Sequence, residues 1–184
     1  MKPGLGAWKR ALRTENEQPM RSLYLLRHGR AEGMGSSGDH ERPLRPEGRE
    51  AVRRVGEFLT RSGEAPDFVL CSTAERARST AELALAAGEW DAALREESQL
   101  YEGHHEAVID LLRGANEAHE RVLVVGHQPT LGILIGVLAS TPAPAFPPAS
   151  LARIDFPEKE RAPLKAGSGE LKWVMTPESL EGCE

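Results

Sequence analysis

The sequence predicts an α/β fold, a three-layer sandwich with a mostly parallel central sheet and helices on both faces. Three observations carry this. Short apolar runs with no polar alternation, at Ser22–Leu26, Asp67–Cys71 and Arg121–Val125, read as strands buried on both faces. Segments with apolar residues three and four apart separate them and read as helices. Strands alternating with helices give a parallel sheet covered on both sides.

Ser22–Leu26 ends at Arg27-His28-Gly29, and a Gly/Ser-rich loop from Gly33 to Gly38 follows. Pro46 then opens a helix at its first turn, where its missing N–H costs nothing. Ala51, Val52, Val55, Phe58 and Leu59 form one buried face of that helix, and Gly63 stops it. After Asp67–Cys71, Ser72 or Thr73 is expected to N-cap a helix running to about Ala87 through Ala77, Ala81, Ala84 and Leu85. A third strand is expected around Leu100-Tyr101, then a helix from about Glu106 to Arg113. Arg121–Val125 is the strongest strand; it ends at Gly126-His127, and Thr130 is expected to cap a helix through Leu138. Prolines 142, 144, 147 and 148 stiffen the next loop. Leu151–Phe156 and Glu170–Met175 alternate in polarity and fit a late hairpin or sheet edge. There is no internal repeat.

The chain has 184 residues, the size of one domain. Residues 1–20 read as a flexible extension and 21–184 as a single domain. The extension has no apolar core or small-residue cleavage site, so it does not read as a secretory signal, and Glu15 and Glu17 count against a transit peptide. Met20, just ahead of the first strand, is an alternative start of translation. Composition is that of a globular protein, 40% hydrophobic and 28% charged. A net charge of −5 argues against general nucleic-acid binding. Apolar runs are too short to span a bilayer. Two cysteines, Cys71 and Cys183, make no disulfide framework, so a reducing cytoplasm is expected.

In such folds ligands bind beyond the C-terminal ends of the parallel strands. The first strand delivers Arg27 and His28 there. The second delivers Cys71 and Ser72, with Arg76 about one helical turn on; the third delivers Glu102 and the fourth His127. The helices that follow add unpaired N–H groups at their N-termini. In an acidic protein this is a local cationic pocket, suited to a phosphoryl group that Arg can grip with a bidentate fork. His40, His104, His105 and His119 fall in loops or on polar helix faces and are expected to be structural.

Leu25-Leu26-Arg27-His28-Gly29 resembles the signature of the histidine phosphatase superfamily, the phosphoglycerate-mutase-like enzymes. Ser72-Thr-Ala-Glu-Arg76-Ala77-Arg-Ser-Thr80 resembles its second arginine motif, and Val124-Val125-Gly126-His127 its second histidine motif. Within the superfamily the chain is most similar to SixA-type phosphohistidine phosphatases, through Asp39-His-Glu-Arg42-Pro43-Leu44 followed by Glu47-Gly48, through Gly126-His127-Gln-Pro129 and through the closing Met175-Thr-Pro177-Glu-Ser-Leu180. Mutase branches carry Glu-Thr after the Arg-His-Gly; here Arg30-Ala31 and the Gly/Ser loop stand instead.

The resemblance implies a phosphoglycerate-mutase-like sandwich and a metal-independent phosphatase working through a phosphohistidine on His28. It implies no cofactor and no metal. Arg27, Arg76 and His127 would stabilise the transferring phosphoryl group, and Glu102, or alternatively Asp39, would protonate the leaving group. The partner would be a phosphorylated protein, a histidine-containing phosphotransfer domain in histidine-to-aspartate signalling, or else a small phosphorylated metabolite. Phosphate ion would be the product, with no nucleic acid or membrane involved. Two further readings stand beside it: hydrolysis of a small phosphate ester or anhydride, and a non-catalytic phosphoprotein-binding module. A thiol phosphatase fits poorly, since Cys71 and Arg76 are spaced C-x4-R rather than C-x5-R, and no zinc-type spacing occurs.

Overall fold

A computed structural model describes residues 21–36, 38–115, 119–156 and 164–181. The expected extension over residues 1–20 and Cys183 lie outside the described residues. Six strands form one sheet: β1 (Arg21–Arg27), β2 (Phe68–Ser72), β3 (Ala93–Glu97), β4 (Arg121–Gly126), β5 (Leu151–Phe156) and β6 (Glu170–Met175). Their order is β3-β2-β4-β1-β5-β6. The first four run parallel, β5 is antiparallel to β1, and β6 is antiparallel to β5.

The alternation of side chains along each strand sorts the core into two layers. Leu23 and Leu25 of β1, with Leu70, Val122, Val124 and Ile154, pack under helices α4 (His105–Ala115) and α5 (Thr130–Ala139). Tyr24 and Leu26, with Val69, Cys71, Leu123, Val125 and Leu151, pack on the opposite face under α1 (Pro46–Arg61) and α2 (Glu75–Gly88). Both layers are buried, as the near-continuous apolar runs of β1, β2 and β4 require. The edge strand β3 instead carries exposed Arg95 and Glu96, which discourage further strand pairing.

The expected third strand is corrected. The strand is Ala93–Glu97, and Leu100-Tyr101 lies in a one-turn helix, α3 (Gln99–Glu102). Its sequence is too charged for the buried-strand pattern, because β3 has only one neighbouring strand and faces solvent. Both expected caps are corrected too. Ala74 is the N-cap of α2 and Pro129 that of α5, and neither makes a side-chain cap bond. The hydroxyl of Ser72 accepts the Ala74 N–H at 3.2 Å, a local turn that precedes the helix. A last short helix, α6 (Pro177–Leu180), seats Leu180 in the α1/α2 layer.

The chain leaves β1 for α1 on one face and leaves β4 for α5 on the other. Adjacent strands whose connections diverge in this way open a crevice at their C-terminal ends. His28 follows β1 and His127 follows β4, so the topology alone brings the two histidines together.

Candidate active site

Glycine fixes the start of the site. A Cβ on Gly29 would come within 2.8 Å of the Gly48 carbonyl oxygen, and one on Gly48 within 2.7 Å of the Arg30 amide nitrogen. The turn after β1 and the first turn of α1 therefore touch backbone to backbone, which only paired glycines permit. The turn is pinned further. His28 N–H donates to Gly126 C=O at 3.0 Å, and Ala149 N–H donates to the carbonyls of Arg27 and His28 at 3.1 Å. The Gly29 N–H donates to Thr80 Oγ1 at 3.0 Å, and that hydroxyl donates to the Arg76 carbonyl at 2.6 Å. The end of β1 and the first turns of α2 are thus one rigid unit.

Inside that unit the rings of His28 and His127 lie 5.0 Å apart, centroid to centroid. His28 is buried, and its Nδ1 lies 2.8 Å from the Gly29 carbonyl, an acceptor only. The proton is therefore on Nδ1, and Nε2 presents its lone pair. Arg76 Nε–H donates to that Nε2 at 3.3 Å, which agrees with this tautomer. Burial pushes the His28 imidazole down to about 4, against the pull of the Gly29 carbonyl, and the Arg76 and Arg27 charges push the same way. The ring is neutral at neutral pH.

His127 Nε2 lies 2.8 Å from the hydroxyl of Ser72, which is fully buried and already accepts the Ala74 N–H. Among the described residues His127 Nε2 is the acceptor within reach of the Ser72 hydroxyl proton. That places the His127 proton on Nδ1. Among the described residues, this Nδ1 and Arg27 Nε are two of the three buried side-chain polar atoms with no partner, the third being Ser150 Oγ. Unsatisfied buried donors in a crevice of this kind fit an anion. Burial, followed by His28 and Arg76, pushes the His127 imidazole down to about 3. Arg27 is anchored through Nη1 to the Phe146 carbonyl at 3.0 Å.

Arg76 is 6% exposed, and its guanidinium bridges two elements. Nη1 donates to the Asp39 carbonyl at 2.6 Å and Nη2 to Asp39 Oδ2 at 2.9 Å. Asp39 also accepts from Arg42 Nη1 at 2.8 Å and from Tyr101 O–H at 3.1 Å. These donors, Arg42 foremost, hold its carboxyl well down, at about 2. Tyr101 stands edge-on to His127 at 5.6 Å and to His40 at 4.9 Å.

Of the residues selected from sequence, Arg27, His28, Arg76 and His127 meet in the crevice. Glu102 does not join them: it is exposed at the end of α3, and its neighbour Tyr101 is the side chain that turns inward. The reason is the helical turn that replaced the expected strand. Asp39 is the carboxylate at the site. His40, expected to be structural, holds the edge of the site: its Nε2 lies 3.1 Å from Thr73 Oγ1 and its ring packs on Tyr101. Tyr101 and Ser72 were not singled out for these contacts; the signal was their position at the end of the second strand and beside Glu102. Cys71 lies fully in the core, and burial pushes its thiol up to about 12, which removes it as a nucleophile. Among the described residues no three His, Cys, Asp or Glu side chains are grouped to hold a metal ion, and no helix is long and apolar enough to cross a membrane.

Comparison with known proteins identifies the family. The sequence pattern of the histidine phosphatase superfamily (branch 1) matches residues 23–109. The uncharacterized protein MT1313 of Mycobacterium tuberculosis is 38% identical over 115 residues, 62% of this chain and 70% of that protein. A 2,3-bisphosphoglycerate-dependent phosphoglycerate mutase of Thermobifida fusca is 38% identical over 107 residues, 55% of this chain but 41% of the mutase. The solved structure of the protein histidine phosphatase SixA complexed with tungstate superposes with a TM-score of 0.76 at 26% identity, covering 86% of this chain and 99% of SixA. With the superfamily pattern over residues 23–109, a relative 38% identical over 70% of its length and the SixA-like fold, the chain belongs to the histidine phosphatase superfamily.

Proposed function

We propose that this chain removes the phosphoryl group from phosphohistidine on a protein, through a covalent phosphohistidine on His28. The observation that carries the reading is the state of the carboxyl groups. Asp39, the carboxylate at the site, is held ionised by Arg42, Arg76 and Tyr101, and Glu102 faces solvent. Neither is set to protonate an alkoxide. An imidazole whose distal nitrogen already carries a proton needs none from the protein, because it departs as a stable neutral ring. The similarity to SixA over nearly its whole length supports the same substrate class.

The chemistry follows from the neutral tautomers. The incoming phosphoryl group takes the Arg76 Nε–H, which releases the lone pair of His28 Nε2 for in-line attack on phosphorus. The Gly29 carbonyl keeps its hydrogen bond to Nδ1–H and stabilises the positive charge that develops on the ring. Arg27, Arg76 and His127 Nδ1–H face the equatorial oxygens, where charge is spread in the transition state. Water then attacks phosphorus, His28 leaves as the neutral Nδ1–H tautomer, and phosphate is released. The cations needed are side chains, so the reaction is metal-independent. Such an enzyme acts in the cytoplasm on phosphotransfer domains of histidine-to-aspartate signalling.

The test is a comparison of wild-type kcat/KM on a phosphorylated histidine phosphotransfer domain and on glycerol phosphate. The protein substrate is expected to win by more than tenfold, about 1.4 kcal/mol of transition-state binding. A preference of that size for the alkyl phosphate would overturn the reading in favour of a small-ester phosphatase.

A further inference from the structure

Asp39 is ionised, partly exposed and aimed at the same guanidinium edge that faces the nucleophile. Nε and Nη2 of Arg76 are the two nitrogens that grip an anion side-on. Here one lies 3.3 Å from His28 Nε2 and the other 2.9 Å from Asp39 Oδ2. A phosphoryl group held by this edge therefore lies against both His28 Nε2 and the Asp39 carboxylate. Asp39 does not drift off when Nη2 is taken. Its backbone carbonyl stays on Arg76 Nη1 at 2.6 Å, and Arg42 and Tyr101 still hold its side chain.

Arg76 and Arg42 offset the charge of Asp39 beside a phosphoryl dianion, and a further cation on the substrate side strengthens the arrangement. A sugar or glycerol phosphate brings none. A phosphoimidazole protonated on its distal nitrogen does. Its N–H is a donor pointing away from phosphorus, towards the place where a carboxylate with 34% of its side chain exposed can accept.

We infer that Asp39 accepts a hydrogen bond from the distal ring N–H of the departing histidine and so selects a phosphoimidazolium substrate over phosphate esters. The inference rests on the phosphohistidine reading above and gives Asp39 the role of acceptor in place of acid. Bond for bond, His28 Nε2 forms a bond to phosphorus, the bond from phosphorus to the substrate nitrogen breaks, and its electron pair stays on that nitrogen. The distal N–H keeps its proton throughout, so the ring leaves as neutral imidazole and no proton crosses from the protein. The arrangement mirrors the other side of phosphorus, where the Gly29 carbonyl holds the Nδ1–H of His28 at 2.8 Å. Each of the two imidazoles that exchange the phosphoryl group then has its own acceptor.

The experiment measures kcat/KM of wild type, Asp39→Asn and Asp39→Glu on N-phosphoimidazole and on p-nitrophenyl phosphate, whose leaving group has no N–H and needs no proton. Asp39→Asn is expected to lower the ratio of phosphoimidazole to aryl phosphate turnover by at least thirtyfold. Asp39→Glu, which keeps a carboxylate, is expected to recover most of that ratio. Equal losses on both substrates would mean that Asp39 only positions Arg76, and would overturn the inference while leaving the phosphohistidine reading intact. A wild type with no turnover of N-phosphoimidazole and none of the phosphorylated protein would overturn both. An Asp39→Asn ratio equal to or above that of the wild type would also overturn the inference.

Discussion

Arg76 Nε lies 3.3 Å from His28 Nε2, so a buried cation donates to the lone pair of a buried neutral imidazole. The pair is compatible only while His28 carries no second proton. Substrate binding exchanges the imidazole for a phosphoryl oxygen on that N–H, which couples seating of the phosphoryl group to release of the nucleophile.

That coupling predicts a pH signature. In the unfolded chain both histidines titrate near 6.5. Folded, His28 sits at about 4 and His127 at about 3. Between these values the unfolded state binds more protons, so stability rises with pH there and falls as pH drops below about 6.5. Each histidine contributes of the order of a few kcal/mol at the acid end. Wild type is expected to lose melting temperature steadily from pH 7 to 4.5, and His28→Asn to lose less. Ring-proton NMR should show both rings neutral at pH 5.5; a midpoint near 6.5 for either would contradict the burial argument.

Ser72 is a positioning residue. Removing its hydroxyl leaves His127 Nε2 free to take the proton, and Nδ1 then points a lone pair at the phosphoryl oxygens. Ser72→Ala is expected to lower kcat/KM by roughly tenfold to a hundredfold, the range for losing an orienting partner. Nitrogen-15 shifts of His127 should move from a pure Nδ1–H form to a mixture. Unchanged shifts with unchanged turnover would remove the assignment.

The Gly29–Gly48 contact predicts that Gly48→Ala destabilises, although Ala favours a helix by about 1 kcal/mol. The new methyl would press on the Arg30 backbone. Overpacking of this kind costs typically about 1–3 kcal/mol, a fall of several degrees in melting temperature at this chain length. A rise in melting temperature would show that the turn can move.

Chelation tests the source of positive charge. Arg27 and Arg76 line the crevice and His127 Nδ1–H adds a donor. Turnover is expected to survive EDTA within a factor of two. Loss in EDTA with recovery in Mg²⁺ or Zn²⁺ would require a metal in the mechanism.

The parallel strands and the crevice residues were legible because each is written locally. Buried strands read as apolar runs, and Arg27, His28, Arg76 and His127 stand at or just after their ends. The third strand was not, because β3 is an edge strand whose charged side chains face solvent and mimic a loop. Asp39, Tyr101 and Ser72 were legible as residues but not as partners. Their long-range contacts, Asp39 with Tyr101 and Ser72 with His127, span 62 and 55 positions, and no periodicity records such contacts. A strand end at Leu100-Tyr101 and the match to the acid position of the mutase-like branch both point to Glu102 rather than Asp39; the turn at α3 instead leaves the Glu102 carboxylate exposed and Tyr101 inward.

The most direct test of the account is to trap the intermediate on His28. Wild type quenched in base during turnover of a ³²P-phosphohistidine protein should carry label that is stable in base and lost in acid, and peptide mapping should place it on His28. His28→Ala should carry no label and turn over less than about a thousandth as fast, as expected for loss of a covalent nucleophile. Label on another residue, or substantial turnover by His28→Ala, would contradict the mechanism.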